Sequence, residues 1–198
     1  MKKILLLITL VLTVSTAGFA QTAKQILDRT AAVLSAKGGA KATFKMTGRY
    51  GNTNGSIAVK GNKFNAYTPF SIVWYDGKTQ WTYMKKSQEV NVSNPTEAQQ
   101  QSVNPYKFIY IYKNGYKLSS KSSVNGWQVH LMAQNKSRSI KEMYISVDRN
   151  YKLKQVKMRQ ANGWTTINVT SFKTANISDS QFRFNSKEYP NAEVIDLR

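Results

Sequence analysis

The most constraining feature of the chain is a two-residue alternation of apolar and polar side chains that recurs over most of its length. The alternation is clear at residues 44–50 and 57–59, and again at residues 127–131 and 143–147. Because successive side chains of a strand point to opposite faces of a sheet, this period is typical of strands with one buried face. Turn sequences such as Asp76-Gly77 separate the segments. The pattern predicts about eleven short strands in an antiparallel sheet.

One helix is predicted before the strands. Thr22 and Gln25 have the spacing of a capping box, in which the two side chains satisfy free backbone N–H groups reciprocally. Apolar side chains recur at helical spacing from Ile26 to Leu34, and Gly38-Gly39 is predicted to end the helix. The first two strands are predicted to form a hairpin whose turn is residues 52–55.

Two Asn-Pro pairs interrupt the strand pattern. Asn94-Pro95 and Asn104-Pro105 each combine an N-cap residue with proline at the first helical position. They predict two short helices, over residues 96–102 and 106–112. Together with the N-terminal helix, these would cover one face of a single long sheet.

Residues 1–20 have the pattern of a signal peptide. Lys2 and Lys3 precede an apolar run at residues 4–14, and Gly18-Phe19-Ala20 supplies the small residues that signal peptidase reads. We expect cleavage after Ala20, which leaves one exported domain, residues 21–198. No second long apolar run follows, so we expect the mature protein to be soluble.

The sequence offers little that could perform catalysis. The chain has no cysteine, which excludes a disulfide framework, a thiolate nucleophile, a Cys-based zinc site and a cysteine that could be lipidated. His130 is the only histidine, and its place in an alternating strand favours a surface or boundary position over a catalytic role. The ten acidic residues are scattered without paired-carboxylate or metal-ligand spacing. We predict a protein that is not an enzyme and that holds no cofactor or metal.

The formal net charge of +19 at pH 7 would suit a nucleic-acid ligand. However, the basic residues are spread evenly over the polar positions of most strands, and the predicted export removes the protein from cytoplasmic nucleic acid. We interpret the charge as a solvated face with a secondary attraction to anionic membrane surfaces, and we predict no nucleic-acid partner.

The apolar side chains indicate a binding surface. Many of the aromatic residues share one predicted sheet face, and methionine occurs on several separate strands, at Met46, Met84, Met132, Met143 and Met158. Methionine adapts its shape to flexible ligands. A long curved sheet with too few helices to fill it would leave a concave apolar groove, a shape that suits lipid.

Several ordered motifs over nearly the whole mature chain resemble the periplasmic outer-membrane lipoprotein carrier (LolA-like) family, of which this would be a divergent member. They are Val59-Lys60 with Lys63-Phe64, the run Trp74-Tyr75-Asp76-Gly77-Lys78-Thr79-Gln80-Trp81-Thr82-Tyr83, Asn104-Pro105-Tyr106 through Tyr112, and Phe182-Arg183-Phe184 with Tyr189-Pro190 and Val194-Ile195-Asp196. The resemblance lies in their order and spacing. One departure is that the family's Lys-Arg-Pro after the third strand reads Lys60-Gly61-Asn62 here, so the Arg that typically holds the lid closed is missing.

The resemblance implies a mainly β (α+β) fold, an incomplete antiparallel β-barrel of about eleven strands whose concave apolar face is covered by short helices. It implies a periplasmic carrier that shuttles acylated lipoproteins from an inner-membrane ABC-type exporter to an outer-membrane receptor. We expect a monomer that contacts membranes transiently. A carrier of free lipid or of another hydrophobic molecule on the same scaffold stays open.

The lipid-binding residues are predicted on the assumption that the aromatic-rich face is concave throughout. Strand residues are predicted to line the groove, and two residues of the 106–112 segment are predicted to lie on the lid. They are Phe44, Met46, Ile57, Val59, Phe64, Trp74, Trp81, Tyr83, Met143, Ile145 and Met158 in the groove, with Phe108 and Ile109 on the lid.

Overall fold

A computed structural model describes residues 21–35, 37–48, 51–96, 99 and 110–198. These form twelve strands, one α-helix and three 3₁₀ helices. The elements, in chain order, are α1 Ala23–Leu34, β1 Ala40–Gly48, β2 Gly51–Lys60, β3 Lys63–Tyr67, β4 Ser71–Tyr75, β5 Gln80–Met84, β6 Glu89–Ser93, a 3₁₀ helix Ile111–Lys113, β7 Tyr116–Ser123, β8 Gly126–Ala133, β9 Glu142–Asp148, β10 Leu153–Gln160, β11 Gly163–Thr174, 3₁₀ helices Asp179–Phe182 and Ser186–Glu188, and β12 Glu193–Asp196.

All twelve strands belong to one open sheet, in the order β12-β6-β5-β4-β3-β2-β1-β11-β10-β9-β8-β7. Neighbours are antiparallel except β12, which runs parallel to β6. The predicted antiparallel sheet and incomplete barrel are confirmed, with twelve strands instead of about eleven. In the part of the chain that the structure describes, no helix is both long and apolar enough to cross a membrane.

The N-terminal helix begins as the sequence predicts. The Thr22 hydroxyl accepts a hydrogen bond from the Gln25 backbone N–H at 3.2 Å, and the Gln25 side chain accepts one from the Thr22 N–H at 3.0 Å. Ile26 and Leu27 are fully buried, which confirms the predicted apolar side of α1. The helix ends at Leu34 with Ser35 as its C-cap, so it stops before the predicted Gly38-Gly39.

The first hairpin forms, but its predicted turn is wrong. Residues 52–55 lie inside β2, where Gly55 pairs with Phe44, and Gly48 pairs with Gly51 across the two-residue connection 49–50. A Cβ at Gly55 would come too close to the backbone oxygen of Tyr67 and would lie 2.6 Å from Cζ of Phe44. The glycine therefore makes room for the neighbouring β3 backbone and for the Phe44 ring, and it is not needed for a turn.

The predicted turn at Asp76-Gly77 is confirmed. Asp76 caps the β4–β5 loop, because its Oδ1 accepts hydrogen bonds from the backbone N–H groups of Lys78 at 3.0 Å and Thr79 at 2.9 Å. Asp148 does the same between β9 and β10, accepting from Asn150 and Lys152. The predicted signal peptide and most residues of the two predicted Asn-Pro helices lie outside the described residues, and the end of the second forms the 3₁₀ helix Ile111–Lys113.

The two faces of the sheet are distinguished by what covers them. We call the face that packs against α1 the inner face and the opposite one the outer face. The buried inner-face core joins Ile26 and Leu27 of α1 to β8, β9 and β10, with Val129, Leu131 and Ile145 fully buried. The outer face at the other end packs against residues 177–189, which we call the C-terminal segment, through Ala58, Ile177 and Phe182.

Candidate functional site

The inner face carries a continuous apolar surface between the two covered ends of the sheet. Residues paired across neighbouring strands point to the same face, so the strand register traces this surface from β11 through β1, β2 and β3 to β4. Its side chains are all partly buried rather than fully buried. We call them the open strip: Ala42, Phe44, Met46, Ile57, Ala66, Val73, Ile167, Val169 and Phe172.

The open strip borders the buried core on both sides. Ile167 packs against the cluster beneath α1, while Ile57, Ala66 and Val73 pack against a second buried cluster that contains Phe64 and Tyr75. No charged side chain belongs to the strip. It is therefore a surface on which an alkyl chain can exchange water for apolar contacts.

The structure divides the predicted lipid-binding residues into groups. Phe44, Met46 and Ile57 lie in the open strip. The next five also point to the inner face but are nearly or fully buried, and so are covered by other side chains. They are Val59, Phe64, Met143, Ile145 and Met158, with at most 6% of their surface exposed. Phe108 and Ile109 lie outside the described residues.

The assumption of one common face is wrong for Trp74, Trp81 and Tyr83. Phe64 pairs with Tyr75, so Trp74, the neighbour of Tyr75, points to the outer face. Trp74 pairs with Trp81 and therefore shares the outer face with it. The cause is that β4 is apolar on both faces, so the sequence does not show which of its two sets of alternating side chains points to the inner face.

These outer-face aromatic residues pack against the C-terminal segment. The Trp74 ring lies 5.5 Å from the rings of both Phe184 and Tyr189, and the Tyr83 ring lies 4.8 Å from that of Tyr189, between centroids. Burial raises the pKa of the Tyr189 hydroxyl. The predicted groove aromatics thus form a second, outer core.

Ion pairs fix the beginning of the C-terminal segment. Asp179 accepts from Lys60 at 2.9 Å and from Lys63 at 2.8 Å. The hydrogen bonds from Lys63 and then Lys60 lower the pKa of the Asp179 carboxyl to about 2. Lys60 also donates to the Ile177 carbonyl at 2.8 Å. Lys60 and Lys63 therefore anchor the C-terminal segment on the outer face.

The 3₁₀ helix Ile111–Lys113 is attached to α1. The Tyr112 hydroxyl donates a short hydrogen bond to Asp28, and the hydroxyls of Ser35 and Tyr110 lie 2.9 Å apart. Hydrogen bonds from Lys24 and then Tyr112 hold the pKa of Asp28 below its ordinary value, and burial raises that of Tyr112. These contacts hold the chain against the inner-face helix where it enters β7.

His130 lies in β8, as predicted, in a polar network on the outer face. Its Nε2 is 2.9 Å from Glu142, and its ring stacks on Tyr144 with centroids 4.4 Å apart. Burial opposes ionisation of Glu142, but hydrogen bonds from Tyr144, His130 and Arg159 lower its pKa. His130 thus contacts an ion-paired carboxylate. Among the described residues no group of three His, Cys, Asp or Glu side chains could hold a metal ion.

Part of the open strip is absent from the binding residues predicted from the sequence. Ile167 and Val169 alternate with polar residues in β11, and this period could have placed them on the same face as Met46 and Phe44. Phe172 follows a bulge in the β1–β11 pairing. The extra residue in the bulge shifts the alternation of faces by one position, so a strict two-residue period places Phe172 on the wrong face. Val73 carries no distinguishing signal, because apolar residues occupy both faces of β4.

The chain belongs to the family described as outer membrane lipoprotein carrier protein LolA, whose model matches residues 14–162. An uncharacterized conserved protein from Thermus thermophilus has the same fold, with a TM-score of 0.61, 14% identity, and coverage of 89% of this chain and 99% of that one. A LolA superfamily protein from Nitrosomonas europaea matches with a TM-score of 0.45, 10% identity and coverage of 83% and 99%. No curated protein matches the sequence.

Proposed function

We propose that this protein is a periplasmic carrier that binds the acyl chains of lipoproteins on the open strip and moves them from the inner to the outer membrane. The observation that supports this most is the continuous, uncharged strip across five strands of the inner face. Membership of a family described as lipoprotein carriers favours the same function and argues against an enzyme.

The physical need for such a surface follows from the stability of an acyl chain in a bilayer. Each buried CH₂ contributes about 0.8 kcal/mol, so a sixteen-carbon chain is held by roughly 12 kcal/mol. Such a chain leaves the membrane far too slowly unless an acceptor offers comparable apolar surface. The open strip is partly exposed in this structure, so it can exchange water for the chain without first unfolding a core.

The proposal includes the route that the family resemblance implies. An inner-membrane ABC-type exporter would load the carrier, and an outer-membrane receptor would unload it. The carrier would act in the periplasm as a monomer after its signal peptide is removed. Phe44, Met46 and Ile57 are the predicted groove residues that we propose as the first contacts of the acyl chain.

The test compares two neighbouring residues of β1. Met46→Asp puts a charge into the open strip, whereas Thr47→Asp, one residue further, puts the same charge on the exposed outer face. We expect Met46→Asp to weaken binding of a triacylated peptide at least tenfold and Thr47→Asp to leave it within twofold. Far-UV circular dichroism checks the fold of both. Equal affinities of the two folded variants would place the binding site elsewhere.

The alternative cargo, free lipid or another hydrophobic molecule, can be tested on the same scaffold because the strip contacts only the alkyl part. Native mass spectrometry of the protein purified from its own cell envelope identifies what it carries. An acylated polypeptide supports lipoprotein transport. Phospholipid or another small hydrophobic molecule would keep the binding surface and change the cargo.

A further inference from the structure

We propose that the inner face of β5 and β6 binds the peptide segment that follows the acylated residue of the cargo. This rests on the proposed function and specifies the orientation of its ligand. We call the four side chains concerned the polar strip: Gln80, Thr82, Asn91 and Ser93.

The inner face changes from apolar to polar at a single step between two strands. One row of paired residues runs Ile57, Ala66 and Val73 across β2, β3 and β4, and continues into Thr82 and Asn91. The next row runs from Val59 through Phe64 and Tyr75 into Gln80 and Ser93. Neighbouring strands lie about 4.8 Å apart, so the polar strip begins one strand beyond the open strip.

The polar inner face of β5 and β6 does not mean that both faces of these strands are exposed to solvent, because their outer face is apolar. Val90 and Val92 are buried there at 0% and 3% exposure, and Trp81 and Tyr83 share that face. The two strands thus bury their apolar side chains on the outer face. Their inner face is left free to be polar next to the acyl-binding surface, except at Met84 at the far end of β5.

The polar strip contains a hydrogen-bonding group without a partner. The Gln80 side-chain oxygen is buried and accepts no hydrogen bond, while its nitrogen donates to Thr82 at 3.2 Å. Turning the amide over would only exchange which of its two polar atoms lacks a partner. A buried polar atom without a partner costs free energy that a ligand can recover.

A cavity of about 440 Å³ adjoins this surface and has room for a short peptide segment. It is lined among others by Gln80, Ser93, Asn94, Gln99 and Arg198. Arg198 is the only positive charge among the described lining residues, and it already binds Asp196 through Nε at 2.9 Å and a terminal nitrogen at 2.5 Å. The cavity therefore offers neutral amides and hydroxyls, which suit peptide N–H and C=O groups better than a phosphate.

The experiment uses two probes on the full mature chain. One is a triacylated cysteine with an uncharged Ser/Gly peptide, and the other is the same acylated cysteine as a simple amide without the peptide. We expect the unaltered protein to bind the peptide-bearing probe about tenfold tighter, the effect of one to two net hydrogen bonds. Gln80→Leu combined with Asn91→Leu should remove this difference and leave the peptide-free probe within twofold.

The matched control is Asn168→Leu, which replaces an exposed outer-face amide of β11 and should preserve the difference. Equal affinity of the unaltered protein for both probes overturns this inference while leaving the acyl-binding proposal intact, and this result does not depend on whether the variants fold. Equal weakening of both probes by the double substitution also overturns it. No binding of either probe would overturn the proposed function itself.

Discussion

At one end of the sheet α1 covers the inner face of β8, β9 and β10, whereas at the other end the C-terminal segment covers the outer face of β3, β4 and β5. Ile26 and Leu27 are fully buried in the first region, and Phe182 is fully buried in the second. The two covers therefore lie on opposite sides of the same sheet, and Phe64 and Tyr75 form a further buried cluster on the inner face of the second region. The open strip lies on the inner face between that cluster and the core beneath α1.

This difference explains why apolar strands leave a partly exposed surface. A sheet covered on one face throughout would bury all of its apolar side chains in one core. Here the C-terminal segment lies on the outer face, so the inner-face residues of β1, β2 and β11 are covered only in part, as where Phe172 packs against Ala31 and Leu34 of α1. Substitutions in each covered region test this arrangement.

The largest expected effect is in the region covered by α1. Met143→Asp places a charge where the side chain is fully buried. We expect a loss of several kcal/mol, comparable with the whole stability of about 5–15 kcal/mol, and therefore unfolding. Ser146→Asp, on the partly exposed outer side of the same strand, is the control. A folded Met143→Asp protein by circular dichroism would show that the helix-covered core is not closed.

The second prediction concerns the region covered by the C-terminal segment. Phe182→Ala removes a fully buried ring and should lower the free energy of unfolding by about 3–5 kcal/mol. Tryptophan emission should shift to longer wavelength in the folded variant, because Trp74 packs against this segment. Urea denaturation measures the loss. A loss no greater than that of the exposed Lys187→Ala would mean that the segment is not part of the core.

A smaller effect is expected at the start of the inner-face helix. Thr22→Ala removes the capping hydroxyl and should cost about 1 kcal/mol, whereas Thr22→Ser keeps the hydrogen bond. Chemical denaturation of both variants measures the difference. Identical stabilities of the two variants would contradict the cap.

The smallest effect depends on pH and belongs to the outer-face cover. The pKa of Asp179 is lowered from 3.8 to about 2 by Lys63 and Lys60, so its ion pairs stabilise the folded state above pH 3.8 and are lost as the pH falls towards 2. Asp179→Asn should lower the urea midpoint slightly at pH 6. The difference from the unaltered protein should shrink steadily as the pH falls from 3.8 to 2. A difference that stays constant over this range would contradict the ionised pair as its cause.

The sequence predicts most of the fold because the two-residue period and the turn residues are local signals. It correctly predicts that α1 begins after Thr22, and it correctly predicts the turn at Asp76. It misplaces the first turn because Asn54-Gly55 has turn chemistry, whereas Gly55 is used to accommodate Phe44. Local patterns cannot decide which of two apolar faces a distant segment will cover. For this reason the sequence pattern places Trp74 and Trp81 on the wrong face, since Phe184 and Tyr189 follow them by about a hundred residues.

The central claim is that acyl chains bind the inner face between the two covers, and the absence of cysteine from the chain allows a direct measurement. Met46→Cys and Thr47→Cys place single thiols on the inner and outer sides of the same strand. A saturating triacylated peptide should slow thiol modification at position 46 at least tenfold and leave the rate at position 47 unchanged. Equal rates at position 46 with and without the lipopeptide, under conditions where it binds, would contradict the account.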